Sequence, residues 1–175
     1  MATSDSPHGH GADAEWPDVT SLSQSRQDLL ALVAERLSEF NPQSGVLSDL
    51  PQIMVEPQNI VGVCRRLKEE PGLDFQMLLC LSCVDYEDHF QTVYFLQSLQ
   101  HEQTLVVKAD VPYDSPRLPS VTEVWPAAEW YEREAHDLFG VSFDGHPDLT
   151  PLLLYEGFEG YPGRKEFPFY EYQEF

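Results

Sequence analysis

Apolar residues first fall into a helical rhythm at Leu29, Leu30, Val33, Leu37 and Phe40, with spacings of three and four that place one helix face against a core. Ser25 with Asp28 three residues on caps its start, and Asn41-Pro42 ends it. Two short β-prone runs follow, Val46 to Leu50 and Gln52 to Val55, divided at Pro51. Pro57 suits the first turn of a second helix, which turns Ile60, Val61, Cys64 and Leu67 inward until Pro71-Gly72 stops it. The rhythm then changes. Phe75 to Val84 is a nearly unbroken apolar run of strand length, the pattern of a central strand buried on both faces. Past a polar turn at Asp85 to Asp88, the chain alternates from Phe90 to Leu99, with Gln91, Val93, Phe95 and Gln97 opposing Thr92, Tyr94, Leu96 and Ser98. A second turn at His101 to Gln103 leads to a third strand, Leu105 to Val111. These strands form a meander, and with the helices they predict an α+β fold: a mixed or antiparallel sheet of about five strands packed against helices.

Pro112, Pro116 and Pro119 stiffen a crossing segment, after which Ser120 and Glu123 offer a capping box to a turn carrying Val121, Val124 and Trp125. Helix resumes beyond Pro126, from Ala127 to Phe139, and stops at Gly140, a residue suited to the left-handed position past a helix end. On it Glu129 and Arg133, and Arg133 and Asp137, lie four apart and are expected to pair. Gly145-His146-Pro147-Asp148 forms a tight turn. From Leu149 on, Gly157, Gly160, Pro162 and Gly163 forbid a long helix or strand, so residues 149–175 read as an extended C-terminal arm. Its aromatics, Phe158, Tyr161, Phe167, Phe169, Tyr170, Tyr172 and Phe175, would form an exposed sticky patch in water. The arm is therefore expected to dock on a partner protein and not on its own domain, with Arg164-Lys165 as the cationic anchor of that contact. Residues 1–20 lack the aliphatic surface to offset ordering and read as a disordered leader, which leaves 21–148 as the single α+β domain.

Composition narrows the function classes. Ten basic against thirty acidic residues give a formal charge of -20, which repels phosphate backbones and anionic headgroups and argues against nucleic acid as a partner. A solvated acidic surface of the kind a salt-rich cytoplasm favours is the plainer reading of that surplus than an acidic active site. No apolar run reaches membrane-spanning length, and the polar opening residues do not read as an export signal, so direct membrane insertion is not expected. Cys64, Cys80 and Cys83 sit among aliphatic neighbours, as buried thiols of a reducing compartment do.

Chemical motifs are sparse. Cys80 and Cys83 have knuckle spacing but fall in a strand, where residues three apart face opposite sides. Three cysteines cannot ligate an iron–sulfur cluster unaided, and the chain lacks a glycine-rich nucleotide fingerprint. His8 and His10 lie in the polar leader, where a solvated tail is the plainer reading than a metal site. Glu132 and His136 share a helix face, and His146 would complete a metal-dependent hydrolytic triad; against this, each also has a plain structural use.

The order Glu132-Arg133-Glu134-Ala135-His136-Asp137-Leu138-Phe139 with His146 downstream resembles the signature of the 30 kDa, or C-type, subunit family of respiratory complex I, the NADH:quinone oxidoreductase. Gly145-His146-Pro147-Asp148-Leu149 and Gly160-Tyr161-Pro162-Gly163-Arg164-Lys165 resemble the family's closing motif. The chain departs from the pattern at Thr150, where Lys, Arg or Pro is usual, and at His136, where a bulky aromatic is common.

The resemblance implies a non-catalytic structural subunit of the hydrophilic arm of a proton-translocating enzyme, peripheral on the cytoplasmic side of the plasma membrane. It implies no cofactor on this chain, with FMN, iron–sulfur clusters and quinone held by other subunits. The D-type subunit of complex I, which is the relative of a hydrogenase large subunit, and the iron–sulfur subunits would be its neighbours. Glu132, Arg133, Glu134, Asp137, His146, Pro147, Asp148, Arg164 and Lys165 would be the motif and interface residues, with no catalytic, cofactor or metal role. Two other classes stay open: the matching subunit of a related membrane-bound hydrogenase or ferredoxin-fed complex, and a stand-alone hydrolase built on Glu132, His136 and His146.

Overall fold

The computed structural model describes residues 18–168. Residues 1–17 of the leader expected over residues 1–20, with His8 and His10, and the arm residues Phe169, Tyr170, Tyr172 and Phe175 lie outside that range. Residues 18–20 are structured, contrary to the expected leader boundary. Asp18 accepts from Thr20 N at 2.9 Å and caps a 3-10 turn, Val19–Ser21, that leads into the buried Leu22.

Helix α1 spans Gln24–Arg36. Its N-cap position is Ser23 rather than Ser25: the Ser23 carbonyl accepts from Arg26 N and Gln27 N, and Gln24 Nε2 donates to Asp28 Oδ1 along the polar first turn. Leu37 and a 3-10 turn, Ser38–Phe40, close it, and Asn41 takes a left-handed φ of 48°. Strands β1 (Gln43–Leu47) and β2 (Leu50–Met54) form a hairpin whose turn falls at Ser48-Asp49 and not at Pro51. Pro51 has no N–H to give, and the β2 ladder to the next strand begins one residue later, at Gln52. Helix α2 (Ile60–Glu69) buries Ile60, Val63, Cys64 and Leu67. The meander is β3 (Met77–Asp85), β4 (His89–Ser98) and β5 (Gln103–Pro112). The five-stranded sheet runs β1-β2-β5-β4-β3, antiparallel except for the parallel β2–β5 pair.

β3 corrects one expectation. It is an edge strand with alternating burial, its core face carrying Leu78, Leu81, Cys83 and Asp85 while Met77, Leu79 and Val84 remain exposed. The outward positions of an edge strand can be apolar without being covered, so an unbroken apolar run does not establish two buried faces. Cys80 is half-buried and Cys83 is buried on the core side, and burial pushes the Cys83 thiol up to about 12.

One core joins the inward faces of α1 and α2 to the helix side of the sheet, including Ile53, Phe90, Tyr94, Leu96 and Val107. Trp125 Nε1 donates to Phe75 O at 3.2 Å and ties the crossing segment to the entry of β3. Short strands β6 (Arg117–Pro119) and β7 (Ser142–Asp144) pair in parallel on either side of helix α3 (Ala128–Phe139), fixing both of its flanking segments. Among the described residues no helix is long and apolar enough to cross a membrane.

Candidate functional site

Helix α3 carries the charged motif, and tertiary contacts give each charge a different task. Glu132 is fully buried. Its Oε2 accepts from Ser120 Oγ at 2.6 Å and its Oε1 from Val121 N at 2.7 Å, so it clamps the crossing segment onto the helix. Burial raises its pKa to about 7, even though the Ser120 and Val121 donors work in the opposite direction. Cys64 lies close enough for the Glu132 charge to add to the effect of burial, and both push that thiol upward. The capping box expected of Ser120 and Glu123 does not form, because Ser120 is committed to Glu132 and Thr122 while Glu123 reaches Arg65 at 3.7 Å.

Arg133 and Asp137 do not pair, and Glu129 does not hold Arg133. Both motif charges reach forward to the arm instead. Arg133 donates from Nε to Thr150 O at 3.1 Å and from one terminal nitrogen to Thr150 Oγ1 at 3.2 Å and Pro151 O at 3.1 Å, while its guanidinium lies over the Trp130 ring. Asp137 Oδ2 accepts from Leu152 N, Leu153 N and Leu154 N at 3.1, 2.7 and 2.9 Å. Burial works to raise the Asp137 pKa, but the three amides from Leu154, Leu153 and Leu152 outweigh it and hold the carboxyl below its usual value. Cation against carbonyls and anion against amides give a charge-assisted match to one short stretch of backbone. A side-chain pair one helical turn apart offers less, since it satisfies no backbone group.

The turn after β7 is fixed by His146. Nε2 donates to Glu129 O at 3.0 Å and Nδ1 accepts from Asp148 N at 3.0 Å, which makes it a neutral imidazole with both nitrogens engaged. Pro147 is exposed between them, and Asp148 Oδ1 accepts from Thr150 N. His136 Nδ1 donates to Val141 O at 2.9 Å. Glu132, His136 and His146 therefore bond to separate partners, Glu132 to the Ser120 hydroxyl and Val121 N, His136 to Val141 O, and His146 to Glu129 O and Asp148 N. Among the described residues no group of three His, Cys, Asp or Glu is placed to hold a metal, and the hydrolase reading has no ligand set.

The arm lies back on its own domain as far as the structure describes it. Arg164 Nε donates to Phe139 O at 2.8 Å, and its guanidinium sits 4.7 Å from the centre of the Tyr161 ring, 5.1 Å from Phe90 and 5.4 Å from Tyr113. Lys165 N donates to Asp85 Oδ2 at 2.9 Å and Lys165 Nζ reaches Glu87 at 3.3 Å, while Gly163 N donates to Leu138 O. The sequence places this basic pair on a neighbouring protein; in the structure both residues are engaged within the chain. The aromatic rings that cage Arg164 include two from β4 and from the segment just after β5, far apart in sequence, and no sequence spacing announces them. Asp85, Phe90 and Tyr113 are thus site residues that the sequence does not announce, and Ser120 bonds Glu132 where the sequence suggests Glu123.

Gly140 allows the arm this approach. Its φ is +75°, and a Cβ there would stand 2.6 Å from the Tyr161 ring and 2.9 Å from Arg164. Gly140→Ala is expected to cost roughly 1–3 kcal/mol from backbone strain and contact together, read as a lower denaturant midpoint. A midpoint equal to the wild type would show that the arm does not rest on the helix end.

A family model described as the respiratory-chain NADH dehydrogenase 30 Kd subunit matches residues 53–173. The chain is 44% identical over 123 residues to the C 2 subunit of the NADH-quinone oxidoreductase of Rhizobium meliloti, covering 69% of this chain and 67% of that protein. Among solved structures it resembles a chain of the membrane-bound sulfane sulfur reductase, an archaeal respiratory membrane complex, with a TM-score of 0.70 and 28% identity over 81% of this chain and 85% of that one. A trypsin-resistant fragment of Nqo5 superposes with a TM-score of 0.54 and 29% identity, covering 69% of this chain and 98% of the fragment.

Proposed function

Because the chain belongs to the family of the respiratory-chain NADH dehydrogenase 30 Kd subunit, we propose that it is a structural subunit of the hydrophilic arm of a proton-translocating NADH:quinone oxidoreductase, with no redox chemistry of its own. FMN, the iron–sulfur clusters and quinone belong to other subunits of that assembly. Its neighbours are the hydrogenase-large-subunit relative and the iron–sulfur subunits, and it sits on the cytoplasmic side of the membrane without entering it. The observation that carries the reading is the use of the motif charges. Glu132, Arg133, Asp137 and His146 are bound to this chain's own backbone and hydroxyl groups, which supports a scaffold and leaves none of these four aimed at a substrate. Pro147, Asp148, Arg164 and Lys165 act in this proposal as shape-setting residues of a surface that meets the partner proteins.

A second reading, the matching subunit of a related membrane-bound respiratory complex fed by a donor other than NADH, is supported by the likeness to the sulfane sulfur reductase chain. Mass analysis of a gently solubilised native complex decides between them. Co-purification with flavin and many iron–sulfur clusters is expected, nickel or the absence of flavin favours the second reading, and a free monomer overturns both. The pure, folded subunit is expected to show no visible absorbance, and a flavin or cluster band would refute a cofactorless scaffold.

A further inference from the structure

We propose that the surface formed by Trp130, Glu134, Leu153 and Tyr155 docks a segment of a neighbouring protein that presents a basic side chain among apolar ones. The inference rests on the scaffold reading above and gives it a place and a chemistry. Trp130 and Glu134 are one helical turn apart on α3 and share a face. Arg133, over the Trp130 ring, holds the carbonyls of Thr150 and Pro151, and Asp137 holds the amides of Leu152 to Leu154. The two groups of residues are therefore joined through those two side chains. Trp130 on the helix is 59% exposed, and Leu153 and Tyr155, on a loop fixed by ionic hydrogen bonds, are 60% and 72% exposed. A loop that is immobilised and yet shows apolar side chains to solvent is suited to recognition, since its ordering entropy is met before a partner arrives. Beside Tyr155, a cavity of about 170 Å³ between α3 and the arm, lined among others by His136, Leu149 and Tyr161, offers a recess for one partner side chain.

Charge selects the occupant. Glu134 is exposed and has no hydrogen-bond or ion-pair partner among the described residues. No cation among the described residues stands ready for it. Every Lys and Arg except Lys108 is engaged within the chain: Arg26, Arg36, Arg65, Arg66, Arg117 and Lys165 with carboxylates, and Lys68, Arg133 and Arg164 with backbone carbonyls. Lys108 belongs to the central strand β5, away from α3, and burial there lowers its pKa. A second copy of the chain would bring the same Glu134 and the same charge of -20 against this one. A basic segment of another protein of the assembly is the complementary choice.

Glu134→Lys and the pair Trp130→Ala with Tyr155→Ala, each made in the full chain, test this in the native complex. The expected result is at least a tenfold loss of the chain from the purified complex for both variants, with Glu134→Gln intermediate. The isolated chain carrying Glu134→Lys should melt at the wild-type temperature, because that side chain is exposed and has no hydrogen-bond or ion-pair partner among the described residues. Wild-type yield of complex with Glu134→Lys would overturn the proposal. So would a matching drop in the melting temperature, which would make the role internal, or a wild-type dimer that the variants abolish, which would make the occupant a second copy. If the wild-type chain itself is absent from the complex, the scaffold reading fails first and takes this inference with it.

Discussion

Glu132→Gln is expected to hold its stability between pH 5 and pH 8 while the wild-type chain loses roughly 3 kcal/mol over the same rise from this one group. The figure follows from a pKa raised from 4.5 to about 7, at 1.36 kcal/mol per unit. The folded state binds the Glu132 proton more tightly than the unfolded chain does, so across that window the folded state holds the extra proton and stability falls as pH rises. Below about 4.5 both states are protonated and the contribution is complete; above about 7 both are ionised and it is gone. Glutamine keeps the shape and never ionises. Its oxygen can accept from Val121 N, and its amide can donate to Ser120 Oγ once that hydroxyl turns toward Thr122 Oγ1, already 2.9 Å away. Glu132→Ala should behave differently, losing about 2–4 kcal/mol at every pH through a cavity and an unpartnered buried Val121 N–H. Urea denaturation at several pH values checks both. Parallel pH profiles for wild type and the glutamine variant would mean that Glu132 is not held as a buried carboxyl.

A comparably large effect is expected from Arg164→Ala, but a local one. The guanidinium contacts three rings and one helix-end carbonyl, which together are worth roughly 2–3 kcal/mol to the docked arm. Hydrogen exchange at the Gly163 and Lys165 amides, which donate to Leu138 O and Asp85, should accelerate by about thirtyfold or more, that energy expressed as an opening constant. The sheet amides of β4 and β5 should be little affected. Arg164→Lys should recover only a small part, since an ammonium cannot lie flat against Tyr161 and Phe90 while donating to Phe139 O. Unchanged exchange at Gly163 in the alanine variant would mean that the arm is held by something other than the arginine.

Some features are readable because they depend on neighbours along the chain. The three- and four-residue spacing of Leu29, Leu30 and Val33 requires a helix with one buried side, and the alternation from Phe90 to Ser98 requires a strand. The turns at Asp85 to Asp88 and His101 to Gln103 join strands of similar length, so the meander follows from them. The motif of α3 likewise points to its family through nothing more than the order of its residues. Element ends are less legible, as the shift of the cap from Ser25 to Ser23 and of the hairpin turn from Pro51 to Ser48 shows, because a residue or two at a boundary costs little.

The α+β class, the meander and the identity of the charged helix thus lie in the order of the residues, because each rests on a local period or a fixed spacing. What those charges do was settled by contacts across space. Arg133 has Glu129 and Asp137 one turn away, yet a loop of backbone groups brought opposite by the β6–β7 pair offers it carbonyls, and offers Asp137 amides, that neither could find on the helix. The apolar run of β3 became an edge because strand order is set by which strands find partners, and composition does not carry that information. Arg164 fell to its own domain because Phe90 and Tyr113, from β4 and from just after β5, meet the arm's own Tyr161 in a cage that one guanidinium fills. Interaction across space competes with interaction along the chain, and wherever the former satisfied more backbone groups, it won.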